Sequence, residues 1–150
     1  MASTFERELA RHETVGVDTT CFIYHFEKNT RYLPLTRLLF KMIEQGNIKA
    51  LTSVIALTEI LVYPLNLSNE DIVAAYKIFF DSFPNLALID VDKKIAEDAA
   101  AIRATYKLAT PDAIHIASAM SQGATAFVTN DLRLKKVGGV RILALDDFVE

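Results

Sequence analysis

The sequence holds a single cysteine in 150 residues, Cys21, so no disulfide can form within the chain and no cysteine-rich zinc site can be built. Cys21 reads as a small buried hydrophobe rather than a reactive thiol. An excess of positive charge is also missing. Lys and Arg number 16 against 19 Asp and Glu, a net charge of −3 with His neutral. Tight, salt-driven binding to bulk nucleic acid is not indicated, although a local basic patch or bound cations can still offset an acidic site. No apolar stretch is long enough to cross a bilayer. The N-terminus, Met1 to Glu8, carries charge where a secretory signal would carry its apolar segment, so a cytoplasmic chain with no membrane partner is expected. There is no internal repeat, low-complexity tract or Pro/Gly/Ser linker. The glycine-rich phosphate loops GxxxxGKS/T and GxGxxG are absent, as are paired zinc histidines and any Ser-His-Asp or Cys-His motif.

What is present is a 51% hydrophobic chain of a length that suits one domain, residues 1–150, with a substantial core. Strand-like runs fall near 14–18, 49–52, 86–90, 125–129 and 140–145. Helical patterns fall between them, near 20–28, 33–46, from Ser53 to a stop at Pro64, 69–83, 92–106 and 110–122. Ser53, Asp92 and Thr110 suit helix N-caps, and Ser68-Asn69-Glu70-Asp71 has the form of a capping box. Strands alternating with helices predict a three-layer α/β/α sandwich with a central parallel sheet. Right-handed crossovers then bring all strand C-termini to one edge, where sites in open α/β sheets form.

Four acids fall at or near that edge. Asp18 ends the run Val15-Gly16-Val17-Asp18, and Asp131 ends Ala126-Phe127-Val128-Thr129-Asn130-Asp131. Glu59 interrupts the apolar helix Val54 to Val62, with no solvated face visible around it. Asp112 opens the helix Thr110-Pro111-Asp112-Ala113-Ile114. Each has an ordinary alternative role. Asp18 suits an N-cap, Asp112 a favourable first helical turn, Asp131 an Asn-Asp turn, and Glu59 an exposed helix position. Buried carboxylates are costly without compensation, and no Lys or Arg stands beside these four in their own segments. A metal ion is the natural missing charge. An all-carboxylate donor set selects Mg²⁺ or Mn²⁺ over zinc. Asp90, Asp92, Asp146 and Asp147 read instead as caps or solvated residues. His115, three residues after Asp112, borders the expected site, although packing is the commoner fate of such a residue.

These segments resemble the PIN-domain family of metal-dependent nucleases, particularly the VapC-type toxins of bacterial toxin–antitoxin pairs. The resemblance runs from Val15 to Phe148. It rests on Val17-Asp18-Thr19-Thr20-Cys21-Phe22-Ile23-Tyr24, on Thr52-Ser53-Val54-Ile55-Ala56-Leu57-Thr58-Glu59-Ile60-Leu61, on Thr110-Pro111-Asp112-Ala113-Ile114-His115-Ile116-Ala117-Ser118-Ala119, and on Val128-Thr129-Asn130-Asp131. Residues 1–13 precede it as an unexplained N-terminal extension.

The resemblance implies an endoribonuclease in which Asp18, Glu59, Asp112 and Asp131 bind Mg²⁺ or Mn²⁺ and position a water against an RNA phosphodiester. Asp18 and Asp112 would be direct ligands, with Glu59 and Asp131 completing the set and Thr20 and Asn130 supporting it. It also implies a homodimer and a cognate antitoxin whose C-terminal segment blocks the site. Arg133, Lys135 and Lys136 could hold RNA phosphates, or form a solvated basic loop. The aromatic helix 69–83 could serve a dimer face or the monomer core. A PIN-like housekeeping nuclease and a non-catalytic PIN-like binding module are the alternative readings.

Overall fold

The computed structural model describes residues 2–150. The chain alternates as the sequence pattern predicts: α1 (Thr4–Leu9), β1 (Thr14–Val17), α2 (Thr19–Phe26), α3 (Leu33–Glu44), β2 (Lys49–Ser53), α4 (Ile55–Asn66), α5 (Glu70–Ser82), β3 (Leu86–Ile89), α6 (Lys93–Tyr106), α7 (Thr110–Ser121), β4 (Ala126–Thr129) and β5 (Arg141–Ala144). Short 3-10 turns follow at Leu132–Lys136 and Leu145–Asp147. The five strands form one sheet in the order β3-β2-β1-β4-β5, and every pairing is parallel. The chain builds outward from β1 to β2 and β3, then crosses back to add β4 and β5 on the other side. The reversal lies between β1 and β4, and in open α/β sheets ligands bind outside the strands' carboxyl ends at such a point.

Side-chain alternation along the strands divides the core into two layers. Val15, Val17, Ala126 and Val128 face a large cluster with Phe22, Leu39, Ile43, Tyr76 and Phe80. Leu51 and Phe127 face the opposite side, with Ile116, Ala119 and Leu134. Between α7 and β1 the approach is so close that a Cβ on Gly16 would meet both Ala119 Cβ and Phe127 Cδ1 at 2.6 Å. Gly16 is therefore what lets the Asp112 helix lie directly on the central strand. The aromatic stripe of α5 goes into the core. Tyr76 and Phe80 are buried, and Phe79 and Phe83 pack with Phe22, Phe26 and Phe40.

The N-terminal extension is built into the body. Phe5 and Leu9 of α1 are buried, Phe5 packs on Phe148 with ring centroids 4.9 Å apart, and Glu8 pairs with Arg141 at 2.7 Å. Three local expectations are corrected. The α4 helix runs past Pro64 to Asn66, because the proline sits in its last turn and its missing N–H removes one ladder bond. Asn69 rather than Ser68 caps α5, accepting from the Ile72 N–H at 3.2 Å. Thr110 is already helical, with Ala109 at the cap position and no side-chain cap bond. Asp92 caps α6 as expected, accepting from Ile95 N–H at 2.8 Å.

Candidate active site

Asp18 follows β1 directly, and its N–H continues the sheet by donating to Val128 O at 2.9 Å. Its carboxylate caps α2 through the Thr19 N–H at 2.8 Å and accepts from Thr129 Oγ1 at 2.6 Å. Capping is therefore one of its roles, but only 6% of the residue is exposed and, among the described residues, no cation touches it. Burial pushes its pKa up, against the pull of the Thr129 hydrogen bond.

Asp112, in the first turn of α7, is half-buried and shares this condition. Burial raises its pKa first, and the charges of Asp18, Asp131 and Glu59 raise it further. That repulsion means the fold brings all four acids into one electrostatic field. The helix start that accounts for Asp112 locally does not supply the charge it lacks.

Glu59 and Asp131 are differently placed. The Glu59 side chain is 33% exposed, on a helix whose Tyr63 and Leu65 also face outward. The expectation of no solvated face around it is corrected: the apolar run of α4 is itself substantially exposed. Glu59 Oε1 accepts from Thr19 Oγ1 at 2.8 Å and lies 2.6 Å from His115 Nε2. The His115 hydrogen bond is the main reason its pKa falls below the usual glutamate value. Asp131 does have a cation in its own segment, contrary to expectation. Arg133 reaches back to it with contacts from Nε and Nη2, the shortest 2.6 Å, and lowers its pKa.

The remaining sequence-predicted residues divide. Asn130 joins the end of β4 to the C-terminal turn, donating to Tyr24 Oη at 3.3 Å and accepting from Asp146 N–H at 3.0 Å. Thr20 Oγ1 is buried without a hydrogen-bond partner among the described residues. Lys135 pairs with Asp147 at 2.6 Å, and Lys136 is exposed. Sequence reasoning passed over Thr19 and Thr129, the hydroxyls that hold Glu59 and Asp18, and gave Ser53 only a capping role. Their signal was position, next to an acid at a strand end. His115 was placed at the border of the site; it lies inside it.

The donor set is all oxygen and carries negative charge that the protein meets only in part, which fits a hard divalent cation. Among the described residues, no group of three or more His, Cys, Asp or Glu is placed to hold a metal ion by itself. Two of the four acids are occupied by other partners: Arg133 contacts Asp131, and His115 and Thr19 hold one oxygen of Glu59. Beside Glu59, between α2, α4 and α5, runs an apolar cavity of ≈ 290 Å³ lined by Ile23, Phe26, Ile60, Tyr63, Leu67 and Tyr76.

Fold and site together define a parallel α/β protein with an acidic, oxygen-rich crevice at its topological switch point. The chain belongs to the PIN-domain family, whose model matches residues 15–140. That family is generally one of nucleases that use a divalent metal. Among solved structures, the chain is similar to the DNA-bound VapBC of Salmonella typhimurium (24% identity, TM-score 0.68, 88% of this chain and 98% of that one). It is also similar to a toxin–antitoxin complex from Klebsiella pneumoniae (20%, 0.65, 87% and 97%). A third likeness is to VapC20 of Mycobacterium tuberculosis, a sarcin–ricin loop cleaving toxin (15%, 0.62, 75% and 86%). No curated protein matches the chain. Among the described residues no helix is long and apolar enough to cross a membrane.

Proposed function

We propose that residues 1–150 form one Mg²⁺- or Mn²⁺-dependent endoribonuclease unit that acts as the toxin of a toxin–antitoxin pair. The observation that carries this reading is the Asp18–Asp112 pair, two carboxylates at the switch point with raised pKa and, among the described residues, no cationic contact. Asp18 and Asp112 would hold the ion directly, with Glu59 and Asp131 completing its surroundings and Thr20 and Asn130 supporting them. A bound divalent ion supplies Lewis acidity and lowers the pKa of a coordinated water.

The chain's own residues do the rest. Thr129 and the Thr19 N–H fix the Asp18 carboxylate in place. Glu59, kept ionised by His115, can take a proton from water. Arg133, Lys135 and Lys136 lie just past Asp131 and can meet RNA phosphates, Arg133 by exchanging Asp131 for substrate. The apolar cavity beside Glu59 suits a segment of a cognate antitoxin that blocks the crevice. The exposed Val62, Tyr63, Leu65 and Leu67 suit burial in such a complex or in a homodimer.

A non-catalytic PIN-like binding module is the second reading, favoured by the Arg133–Asp131 pair that occupies one of the four acids. RNA cleavage by the purified protein with Mg²⁺, Mn²⁺ or EDTA, beside Asp18→Asn and Asp112→Asn, separates the two. Metal-dependent cleavage lost in both variants supports the nuclease. Cleavage that ignores EDTA, or survives in both variants, contradicts the mechanism. Slow turnover on every cellular RNA tried, without growth arrest on expression, favours a housekeeping role over a toxin.

A further inference from the structure

Building on the nuclease reading, we propose that Ser53 and His115 form a positioning relay that aims Glu59, fixing its Oε1 and leaving Oε2 as the oxygen it presents to the reaction. His115 is 1% exposed, so its imidazole must find partners inside the protein. Nδ1 lies 2.9 Å from Ser53 Oγ, and Nε2 lies 2.6 Å from Glu59 Oε1. The direction of the relay is set at Glu59, whose ionised carboxylate can only accept, so the ring presents an Nε2–H to it. The Ile55 N–H, which can only donate, donates to Ser53 Oγ at 3.2 Å. The Ser53 hydroxyl proton is then free to donate to Nδ1. With the ring proton on Nε2, facing the carboxylate, Nδ1 is the acceptor for that hydroxyl.

Thr19 Oγ1 donates to the same Glu59 oxygen at 2.8 Å. Among the described residues Oε2 takes no hydrogen bond. One oxygen is saturated and the other is free.

The placement of the relay explains why Glu59 needs it. Glu59 sits on a partly exposed stretch of α4, where packing alone would leave a long side chain its rotamer freedom. Ser53 ends β2 and is fully buried, and His115 lies one helical turn beyond Asp112 on α7, the helix locked against β1 at Gly16. The relay thus ties the outlying acid to the buried end of β2 and to α7, the helix packed closely on β1. A histidine serving the core alone would not need to end on the carboxylate of a partly exposed glutamate.

Two variants of similar size and polarity test the relay. In His115→Gln the side-chain amide nitrogen reaches about as far as Nε2, whereas in His115→Asn it reaches only as far as Nδ1. In RNA cleavage His115→Asn should lose about 10–100-fold in kcat with little change in KM, and His115→Gln should recover most of that loss. Mn²⁺ affinity measured without RNA should follow the same order. The imidazole ¹⁵N spectrum of the wild-type protein needs neither variant to fold, and should show His115 as the Nε2–H tautomer.

Equal losses in the Gln and Asn variants, or an Nδ1–H tautomer, would overturn the relay. An active wild type with either result leaves the nuclease reading intact and removes this role alone. Wild-type protein that neither cleaves RNA nor binds Mn²⁺ overturns the nuclease reading, and this role with it.

Discussion

Among the described residues Asp18 and Asp112 have no cationic contact, while Glu59 and Asp131, farther out, are already engaged by His115 and Arg133. The same residue type has been given opposite electrostatics within one site. Burial and like charge hold the inner pair's pKa values up; donated hydrogen bonds hold the rim pair's down. The fold therefore keeps an unmet demand for positive charge at the β1–β4 reversal and directs the oxygens around it. A divalent ion would satisfy a demand of this kind, and on the proposed reading the difference between the pairs separates holding the ion from orienting its neighbours.

The largest expected effect separates the pairs in catalysis. Asp18→Asn and Asp112→Asn should each lower kcat/KM on a cleavable RNA by about 100-fold or more, since metal-borne charge stabilisation is worth several kcal/mol and each ~1.4 kcal/mol is tenfold. Asp131→Asn should lose less. A loss in Asp131→Asn as deep as in Asp18→Asn would erase the distinction.

Next in size is the effect of metal on stability. At roughly a hundred times its Kd, Mn²⁺ should raise the Tm of wild-type protein by about 5–10 °C, because saturation adds ~2.7 kcal/mol to a chain of this size. Asp112→Asn should respond weakly, and EDTA should abolish the shift. An equal shift in the variant would move the ion away from Asp112.

Without metal, the inner pair should behave as a strain. Its native pKa values lie above the ordinary 3.8, so between 3.8 and the native values the folded state holds more protons than the unfolded one. Stability contributed by these groups then falls as pH rises through that window and stays low above it. Metal-free Asp112→Asn should melt above wild type at pH 7 by about 1–4 °C, with the gap closing as the pH approaches 4. The rim pair has the opposite sign. Glu59 and Asp131 add stability at neutral pH that is lost as pH falls through their lowered native pKa values. A gap that widened on acidification would contradict the assignment.

The smallest effect belongs to Arg133, whose side chain is largely exposed. Arg133→Ala should shift the metal-free Tm by no more than about 2 °C, since exposed ion pairs contribute little. It should nevertheless free Asp131. Mn²⁺ affinity that stayed the same or rose in Arg133→Ala would fit a rim residue that competes with the ion, whereas a large loss would make Arg133 part of the site's support.

The α/β/α architecture was legible because helix-period patterns alternate with short, largely apolar strand runs. Asp18 and Asp112 were legible because strand ends and helix starts in such a fold have known places. Other features required contacts distant in sequence. His115 and Ser53 are 62 residues apart and meet only after β2 and α7 pack together. Thr129 lies 111 residues from Asp18, and strand pairing brings it within a hydrogen bond.

Glu59 misled in the other direction. The apolar run around it predicts burial, but α4 keeps much of that surface exposed, a choice made by tertiary packing and invisible to local periodicity. The Arg133–Asp131 contact spans two residues and could have been read locally, had side chains folding back across a turn been weighed. Residues 1–13 were opaque because one short helix shows too little periodicity to reveal which face it buries.

The proposed nuclease stands or falls with the Asp18–Asp112 pair as the holder of the divalent ion. Electron paramagnetic resonance of Mn²⁺ titrated into the RNA-free protein counts bound ions without depending on turnover. Wild-type protein should bind Mn²⁺, with binding lost in Asp18→Asn and in Asp112→Asn and retained, at lower affinity, in Asp131→Asn. Binding that survives in both inner variants, or never occurs in the wild type, would contradict the account.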